Sequence, residues 1–530
     1  MAPRRLGVAA FAALAAFVAA GYVAVAMRPL ASLLRVVPDD AFYYLQIAKQ
    51  LASGHGSTFD GVNAASGYHP AWMLLLVPFA AMISSPVALL RTTLVVALLL
   101  HVAASALLVP ALRYFMSSRA ALLGGLCWLA NPLALLLALQ GVESAVYELA
   151  LVVVMLVAAR HSRIGAPLPA VALGAALALA FLGRTEAGIL AALTCLAVLL
   201  AAGRGRRLAG ARAALVVGGT FTLGTLPWFA WCWWQTGSPW QSSGTAKALW
   251  ATPHLAASTP VERISRALEV AAHEFVSPPW IELGSLPPSL LLATAILPAL
   301  LGPLLVLRLP ADHRRVLGAC AWLLAAMVAT GAVYGALAWT IPFWYHALPG
   351  LFLFVLGYLW IGAAMDAGEL RRWARPAGVA AATLVLAASL LADVVAFRQP
   401  PDLYPWQPDM LRSVAVFDRV MPLGAPVACF NAGIPAFFGS RRVINLDGVV
   451  NVAVLPYYRA RNLERYFADE HLDYLADDTA TLDEARPFFG APLGLEPLAS
   501  VSMTEWHAER RYLWRVGPPS PPQSTPPAGR

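Results

Sequence analysis

Long apolar runs recur along this sequence, and they limit its fold more than any other feature. A helix needs about 20 mostly apolar residues to cross the hydrocarbon core of a bilayer. Candidate runs lie at 6–27, 87–112, 120–138, 144–159, 168–183, 187–202, 213–233, 286–307, 316–338, 347–365 and 376–397. Hydrophobic residues make up 59% of the chain and charged residues only 12%, outside the usual range for soluble domains. The sequence therefore predicts a polytopic α-helical membrane protein with about eleven transmembrane helices.

Arginine clusters predict how these helices are oriented. They occupy alternate connections: Arg4 and Arg5; Arg113 and Arg119; Arg160 and Arg163; Arg204, Arg206, Arg207 and Arg212; Arg308, Arg314 and Arg315; Arg371, Arg372 and Arg375. All six clusters can face the cytoplasm together, as the positive-inside rule requires of a correct count. We therefore expect the N-terminus inside and the C-terminus outside. The clusters also explain the net charge of +8, so no nucleic-acid partner is needed.

Two apolar segments need separate treatment. The run 6–27 is too long for the hydrophobic region of a cleaved signal, and further spans follow it, so we interpret it as a retained first helix. The segment 70–84 is only fifteen residues long and contains Pro78. Counting it as a span would place the later arginine clusters outside. A re-entrant or surface-lying helix is the preferred interpretation, and a full span is the alternative.

The predicted outer face receives most of the polar groups that orientation does not explain. It holds a first external loop at 28–86, a large loop at 234–285 and everything after residue 397. Residues 1–397 then form the transmembrane domain with its external juxtamembrane helices. Residues 398–515 show short β-type runs ("PVACFNAG", "RRVINLDG") and a helical stretch ("NLERYFADEHL"), typical of a small external α/β domain. Residues 516–530 are a proline-rich, disordered tail.

Two adjacent carboxylates, Asp39 and Asp40, follow the first predicted helix in "PDDAFYYLQIAKQLASGHG". An aspartate before the helical pattern that follows is a good N-cap, and one reading is that Asp40 does only that. Capping needs one side chain, however, and unpaired carboxylates are costly near a membrane surface. Two carboxylates in contact raise each other's proton affinity, which suits general-base work or binding of a divalent cation.

The stretch "PDDAFYYLQIAKQLASGHGSTFDGVNAASGYHPAW" resembles the first external loop of GT-C superfamily glycosyltransferases, which use sugars linked to polyprenyl phosphate. The resemblance continues through "GVESAVY", "GRTEAG" and "NAGIPAFFGSRRVINLDGVVN" and covers most of the chain in order. It is greatest to uncharacterised bacterial members and to the arabinofuranosyltransferases. An aspartate of this loop is the catalytic base in that family, which implies Asp39 or Asp40 here.

The resemblance implies an inverting glycosyltransferase of the bacterial inner membrane with its active site facing the exterior. Residues 1–397 would be the catalytic domain, the donor a polyprenyl-phosphate-linked sugar, and the acceptor a hydroxyl of a glycan, lipid or protein. A lipid-linked-sugar flippase or transporter is an alternative, although no internal repeat supports a two-halved transporter. A non-catalytic membrane scaffold is the third reading.

Further candidates for donor or substrate binding lie on the predicted outer side: His69, Glu143, Arg184, Glu186, Tyr345 and His346. Each has a structural alternative. Arg184 could meet a phosphate or simply pair with Glu186, Glu143 could be a helix-start carboxylate, and His69 could be a turn residue before the helix-starting Pro70. Tyr345 and His346 could belong to an interfacial aromatic belt.

Other polar residues carry weaker signals. The cations Lys247, Arg263 and Arg266 of the large loop could also receive a phosphate, but loop arginines are usually solvated, so none of the three is singled out. No cofactor is required, but a divalent cation could be bound by oxygen ligands such as Asp40 and Glu143. The five cysteines have no metal-ligand spacing. The "NLDGVVN" segment lacks the ligand spacing of an EF-hand, so we predict a strand followed by a turn, with Gly448 at the bend.

Overall fold

The structure is a computed structural model that describes residues 2–161, 167–201, 207–256, 258–266, 314–337, 342–366, 374–504 and 509–517. The predicted span 286–307 and the end of the large loop lie outside the described residues. In the described residues up to Arg398 the regular secondary structure is helical, apart from one isolated bridge between Thr58 and Ala64. The α-helices of this part are α1 (Ala2–Ala26), α2 (Leu30–Leu33), α3 (Asp39–Ala52), α4 (Pro70–Met82), α5 (Pro86–Leu112), α6 (Ser118–Leu129), α7 (Pro132–Leu139), α8 (Ser144–His161), α9 (Pro167–Gly183), α10 (Ala187–Ala201), α11 (Arg207–Thr236), α12 (Ser242–Ala256), α13 (Arg314–Leu337), α14 (Ala347–Met365) and α15 (Ala374–Arg398).

The predicted apolar runs that fall in the described residues are all helical. Six helices of this part are long and apolar enough to cross a membrane, and a seventh span results if α6 and α7 are counted as one. Three shorter apolar helices lie at Pro70–Met82, Pro169–Gly183 and Ala187–Leu200. In the bundle, α8 packs between α5 and α9, and α9 packs against α11.

The run 120–138, predicted as one helix, is instead two helices bent by 43°. Pro132 begins the second helix, and the side chain of Asn131 caps it by accepting a hydrogen bond from the Ala134 backbone N–H at 3.1 Å. A residue before proline is driven out of the helical conformation by the proline ring. The break therefore follows from an Asn-Pro pair that the apolar pattern conceals.

The segment 70–84 contains a helix that begins at Pro70, as expected from the His-Pro pair. Its 13 residues span only about 20 Å at the rise of an α-helix, less than the hydrocarbon core of a bilayer. One side of α4 buries Trp72 and Leu76, whereas Leu74 and Met82 are exposed. Because α4 packs against α3, it belongs with the first external loop.

The chain after residue 406 forms a mixed five-stranded sheet with short helices. The strands are β1 (Val427–Cys429), β2 (Val443–Asn445), β3 (Tyr474–Asp478), β4 (Gly494–Ser502) and β5 (Arg510–Gly517), in the order β2-β1-β3-β5-β4. The helices are α16 (Gln407–Asp418), α17 (Gly433–Phe438), α18 (Leu455–Ala460), α19 (Leu463–Asp469) and α20 (Thr479–Ala485). Strand β1 pairs in parallel with β2 and β3, and the pairs formed by β5 are antiparallel.

The strands predicted in "PVACFNAG" and "RRVINLDG" and the helix predicted in "NLERYFADEHL" are all present. The predicted start of the disordered tail at 516 is wrong, because β5 continues to Gly517 through its pairing with β4. Residues 518–530 of that tail lie outside the described residues.

This sheet region contacts the first external loop and α12 directly. Arg442 pairs with Asp60 at 3.0 Å, and the Val452 N–H donates to the Ala64 carbonyl at 3.0 Å. The Ser242 hydroxyl donates to the Val449 carbonyl at 2.7 Å. Between these contacts the backbone of Gly67 lies against the Val449 carbonyl, where an added Cβ would come within 1.7 Å of the oxygen.

Replacing Gly67 should therefore loosen this interface. We expect Gly67→Ala to lower the free energy of unfolding by about 1–3 kcal/mol, the usual cost of overpacking, because the methyl group must displace the backbone of Val449. Melting temperature in detergent would measure the loss. Gly244→Ala on α12 is the matched control, since nothing lies within 4 Å of its added Cβ. An unchanged melting temperature for Gly67→Ala would contradict the tight interface.

Candidate active site

A small polar cavity lies where the first external loop, α12 and the sheet region meet. Its walls come from segments that are far apart in sequence. The lining residues are Asp40, Tyr43, Tyr44, Gly67, Tyr68, His69, Val142, Glu143, Ser243, Lys247, Trp344, Tyr345 and Val449. Four of the residues singled out from the sequence, Asp40, His69, Glu143 and Tyr345, thus share one cavity.

The two adjacent aspartates point to different partners. Helix α3 begins at Asp39 rather than after Asp40, and Pro38 occupies the N-cap position. Asp40 is inside the helix and not at its N-cap position, so the reading of Asp40 as an N-cap is wrong. The Asp39 carboxylate accepts hydrogen bonds from the Gly433 N–H at 2.9 Å and the Ile434 N–H at 2.7 Å. Asp40 lines the cavity, and Asp39 does not.

Both aspartates have raised pKa values. Burial raises the pKa of Asp40 most; Lys247 opposes that shift and Glu143 adds to it. Burial also raises the pKa of Asp39, to about 6, although the two backbone N–H groups that it accepts from oppose the shift. A carboxylate with a raised pKa is a stronger base once ionised, so Asp40 has the environment expected of a proton acceptor.

Lys247 is the cavity residue that the sequence argument named but did not single out. It lies on α12 one helical turn after Ser243, another lining residue. Its ammonium donates to the Tyr345 hydroxyl at 2.7 Å and lies 4.7 Å from the centre of that ring. Burial lowers the pKa of Lys247, but Tyr345 and Asp40 outweigh it and the net pKa is raised. Lys247 is therefore a cation next to the Asp40 carboxylate.

Arg184 lies behind the cavity, between two carboxylates. Its guanidinium donates to Glu143 and, at 2.5 Å, to Glu186. It also stacks 4.1 Å from the centre of the Tyr345 ring. Arg184 is 2% exposed and does not line the cavity, and neither does Glu186. Its charge is thus already matched by the two glutamates, which favours a structural role over direct contact with a phosphate.

Glu143 is held by groups on both of its oxygens. Arg184 donates to Oε1, and the Tyr44 hydroxyl donates to Oε2 at 2.8 Å. Burial raises the pKa of Glu143, but the charge of Arg184, together with the hydrogen bond from Tyr44, outweighs it and the net pKa is lowered. Glu143 therefore stays ionised and presents a fixed negative charge at the cavity wall.

His69 stands beside Glu143 as a neutral side chain. Its Nε2 is 3.7 Å from Glu143 Oε1. Burial lowers the pKa of His69 to about 4, and the charge of Glu143 only partly offsets this effect. The second candidate histidine, His346, follows Tyr345 in the sequence. It is buried but does not line the cavity, whereas Trp344 and Tyr345 do.

The structure offers little support for the suggested divalent-cation site. In the described ranges, no group of three or more His, Cys, Asp or Glu side chains is placed to hold a metal ion. Glu143 has both oxygens engaged, so Asp40 is the remaining candidate of the two proposed ligands. Asp447 is nearby, but its oxygens accept from the Tyr43 hydroxyl at 3.1 Å and the Val449 N–H at 2.7 Å.

The "NLDGVVN" segment forms the predicted strand and turn. Gly448 makes the predicted bend, with φ +80°.

Removing the arginine from the buried cluster should destabilise the protein. Arg184→Met leaves Glu143 and Glu186 as buried, uncompensated charges, so we expect a loss of about 3–5 kcal/mol. The matched control is Arg35→Met, which breaks the exposed Arg35–Asp402 pair and should cost less than about 1 kcal/mol. Thermal unfolding in detergent measures both, and equal small losses would show that Arg184 is not a structural centre.

The fold is similar to that of two solved membrane proteins. ArnT from Cupriavidus metallidurans, crystallised with undecaprenyl phosphate, has a TM-score of 0.52 and 15% identity, covering 96% of this chain and 97% of ArnT. The oligosaccharyltransferase from Archaeoglobus fulgidus in its apo form has a TM-score of 0.50 and 13% identity, covering 94% of this chain and 75% of that enzyme. No protein-family model matches the sequence, and no curated protein does.

These sequence identities are too low to transfer an activity to this chain. The two solved proteins share only the fold with it. Both solved proteins have the GT-C fold. The resemblance drawn from the sequence motifs is therefore confirmed at the level of the fold, over nearly the whole chain. This polytopic helical membrane protein has the GT-C fold.

Proposed function

We propose that this protein is an inverting glycosyltransferase that moves a sugar from a polyprenyl-phosphate donor to a hydroxyl acceptor. A fold by itself does not define an activity, so the proposal depends on the site. The observation that carries it is the presence of Asp40, a carboxylate with a raised pKa, and the Lys247–Tyr345 pair in one cavity. A base and a cationic partner for a leaving phosphate are the two groups that this reaction needs.

In the proposed reaction, Asp40 is the base. Its ionised carboxylate takes the proton of the acceptor hydroxyl as the oxygen attacks the anomeric carbon. The bond from that carbon to the phosphate oxygen breaks, and its electron pair leaves with the lipid phosphate. A single displacement of this kind inverts the configuration at the anomeric carbon. Positioning and charge stabilisation then supply most of the rate.

Lys247 and Tyr345 are the proposed partners of the leaving phosphate. The ammonium of Lys247 has three N–H donors, of which the Tyr345 hydroxyl engages one. Arg184 acts indirectly in this proposal, because it orients Glu143 and supports the ring of Tyr345 from behind. Glu143 and His69 would contact sugar hydroxyls. His346 and Glu186 support the neighbouring residues rather than the substrate.

The donor is proposed to carry a polyprenyl phosphate because ArnT, which shares this fold, was crystallised with undecaprenyl phosphate. No cofactor is proposed, because both oxygens of Glu143 are engaged by Arg184 and Tyr44 and only Asp40 is left of the two suggested cation ligands. The acceptor would be a glycan, lipid or protein hydroxyl, and the transferred sugar a hexose or a pentose.

The proposed setting is a bacterial inner membrane with the cavity facing the exterior. Eleven spans, with the N-terminus inside and the C-terminus outside, place the first external loop, α12 and the sheet region on one side. Residues 1–397 are the proposed catalytic domain, and the sheet region is the core of an external domain over 398–515.

A flippase or transporter is the main rival. Its support would come from polar side chains within several helices, such as His101 and Glu148. Glu148, however, lies 3.0 Å from His101 Nδ1 and accepts from the Trp128 indole N–H at 2.6 Å. Side chains that satisfy each other in this way join neighbouring helices, so they give transport little support. A non-catalytic scaffold would need neither Asp40 nor Lys247.

Neutralising the proposed base should abolish transfer. We expect Asp40→Asn to lower the rate of sugar transfer by about 10²–10⁴-fold, the usual contribution of general-base catalysis, with expression and melting temperature unchanged. Mass spectrometry of the lipid that copurifies with the protein would identify the donor, and transfer from it would then be followed directly. Asp402→Asn, on the exposed Arg35–Asp402 pair, is the control. Full transfer by Asp40→Asn would show that Asp40 is not the base, and absence of transfer by the wild type would remove the enzymatic proposal.

The proposed topology can be tested independently of activity. Two reporters, alkaline phosphatase and a green fluorescent protein, would be fused separately after Gly517. The phosphatase should be active and the fluorescent protein dark, because the phosphatase folds only outside the cytoplasm and the fluorescent protein does not fluoresce when exported. A fusion within the arginine-rich connection at 203–207 should give the opposite pattern. Fluorescence from the fusion after Gly517 would contradict the proposed orientation.

A further inference from the structure

We propose that Asp39 is a positioning residue through which the sheet region orients Asp40 toward the cavity. This inference rests on the proposed function, since it assigns a task to the second carboxylate of the pair. Asp39 would not touch substrate. It would join the first turn of α3 to the loop 429–434 of the sheet region.

The two faces of α3 engage different parts of the molecule. Residues four apart lie on the same side of a helix. Asp39 and Tyr43 both bond to the sheet region: Asp39 accepts from the Gly433 and Ile434 N–H groups, and the Tyr43 hydroxyl donates to the Phe430 carbonyl at 3.1 Å. Tyr44 bonds instead to Glu143, and Asp40 and Tyr44 line the cavity together with Tyr43, whereas Asp39 does not. The rotation of α3 that satisfies one face therefore sets the other.

The contact at Asp39 is closely packed. Gly433 approaches so near that an added Cβ would lie 2.2 Å from the Asp39 carbonyl oxygen and 2.9 Å from its carboxylate. Both carboxylate oxygens are used, Oδ2 by Gly433 and Oδ1 by Ile434. The first turn of α3 has no side-chain cap of its own. Its placement therefore depends on the sheet region.

A buried network holds the loop that binds Asp39. Asp477 accepts from the backbone N–H groups of Phe430 at 2.8 Å and Asn431 at 3.1 Å. Arg511 pairs with Asp477 at 3.3 Å and donates to the Asn431 carbonyl at 3.2 Å. Asp477 and Arg511 are both almost fully buried. Asp477 and Arg511 pair with each other and also bond to the backbone of this loop. The N–H groups of Gly433 and Ile434 therefore have a fixed position.

Displacement of a reacting group by about 1 Å can cost about 10²-fold in rate. Loss of the Asp39 contact should therefore lower kcat, because Asp40 can then leave its productive position. It should change the donor KM little, because Lys247 and Tyr345 belong to other segments. This division between kcat and KM separates positioning from substrate binding.

The pH profile gives a second readout. The Asp39 contact as seen requires an ionised carboxylate, and burial raises the pKa of Asp39 to about 6. The charged or titratable groups that interact with Asp39 include Asp40 and Tyr43 on its own helix and Arg511 and Cys429 of the sheet region. Lys247 and Glu143 face Asp40. As pH falls through about 6, Asp39 takes up a proton and the contact weakens. Protonation of the proposed base Asp40 also stops transfer. On the acid side, wild-type activity should therefore fall with the combined slope of two ionisations, those of Asp39 and Asp40.

The test compares Asp39→Asn and Gly433→Ala with the wild type, using the copurified lipid-linked sugar as donor. We expect both variants to lose about 10-fold or more in kcat, with the donor KM within twofold of the wild type. Asp39→Asn should also reduce the acid limb of the profile to the slope of one ionisation, whereas Gly433→Ala should keep two. Glu496→Gln, at an exposed pair with Arg515, is the control and should match the wild type.

The outcomes separate the two proposals. Wild-type kcat in folded Asp39→Asn and Gly433→Ala would overturn the positioning role and leave the transferase proposal standing. Absence of transfer in the wild type and in Glu496→Gln would overturn both. If neither variant folds, as judged by melting temperature, Asp39 is a structural residue and the positioning role is wrong.

Discussion

The cost of burying charge beside a membrane is the constraint that organises this structure. The carboxylates around the cavity, with the exception of Asp40, are each matched by a specific donor. Glu143 and Glu186 share Arg184, Asp477 is paired with Arg511, and Asp39 takes two backbone N–H groups. Breaking such a pair leaves an uncompensated charge in a poorly solvated place. The pairs therefore determine how the first external loop, the helix ends and the sheet region fit together.

Asp40 differs from these carboxylates, and that difference underlies the proposed chemistry. It lines the cavity beside Lys247 rather than being held by an arginine or by backbone amides. A carboxylate left in that state has a raised pKa and room to accept a proton from another molecule. The surrounding pairs can then be understood as the framework that keeps Asp40 and the Lys247–Tyr345 pair in one cavity.

Helices and strands could be predicted well from local patterns, and some contacts could not. Apolar runs located the membrane helices in the described residues, and short β-type runs located β1 and β2. The bend at Asn131–Pro132 was missed because both halves of that run are equally apolar. Lys247 was missed because a lysine in a long loop usually faces solvent. Its position four residues after Ser243 on one face of α12 was the available signal.

The sequence by itself determined the membrane character, the helical segments, the sheet elements and the small set of polar residues from which the candidate site is built. These follow from hydrophobic burial and backbone preferences, which act over short stretches of chain. Only the tertiary structure decided which of the two aspartates faces the cavity and that Arg184 lies behind it. Those outcomes depend on contacts between residues hundreds of positions apart, such as Asp39 with Gly433, and no local pattern encodes them.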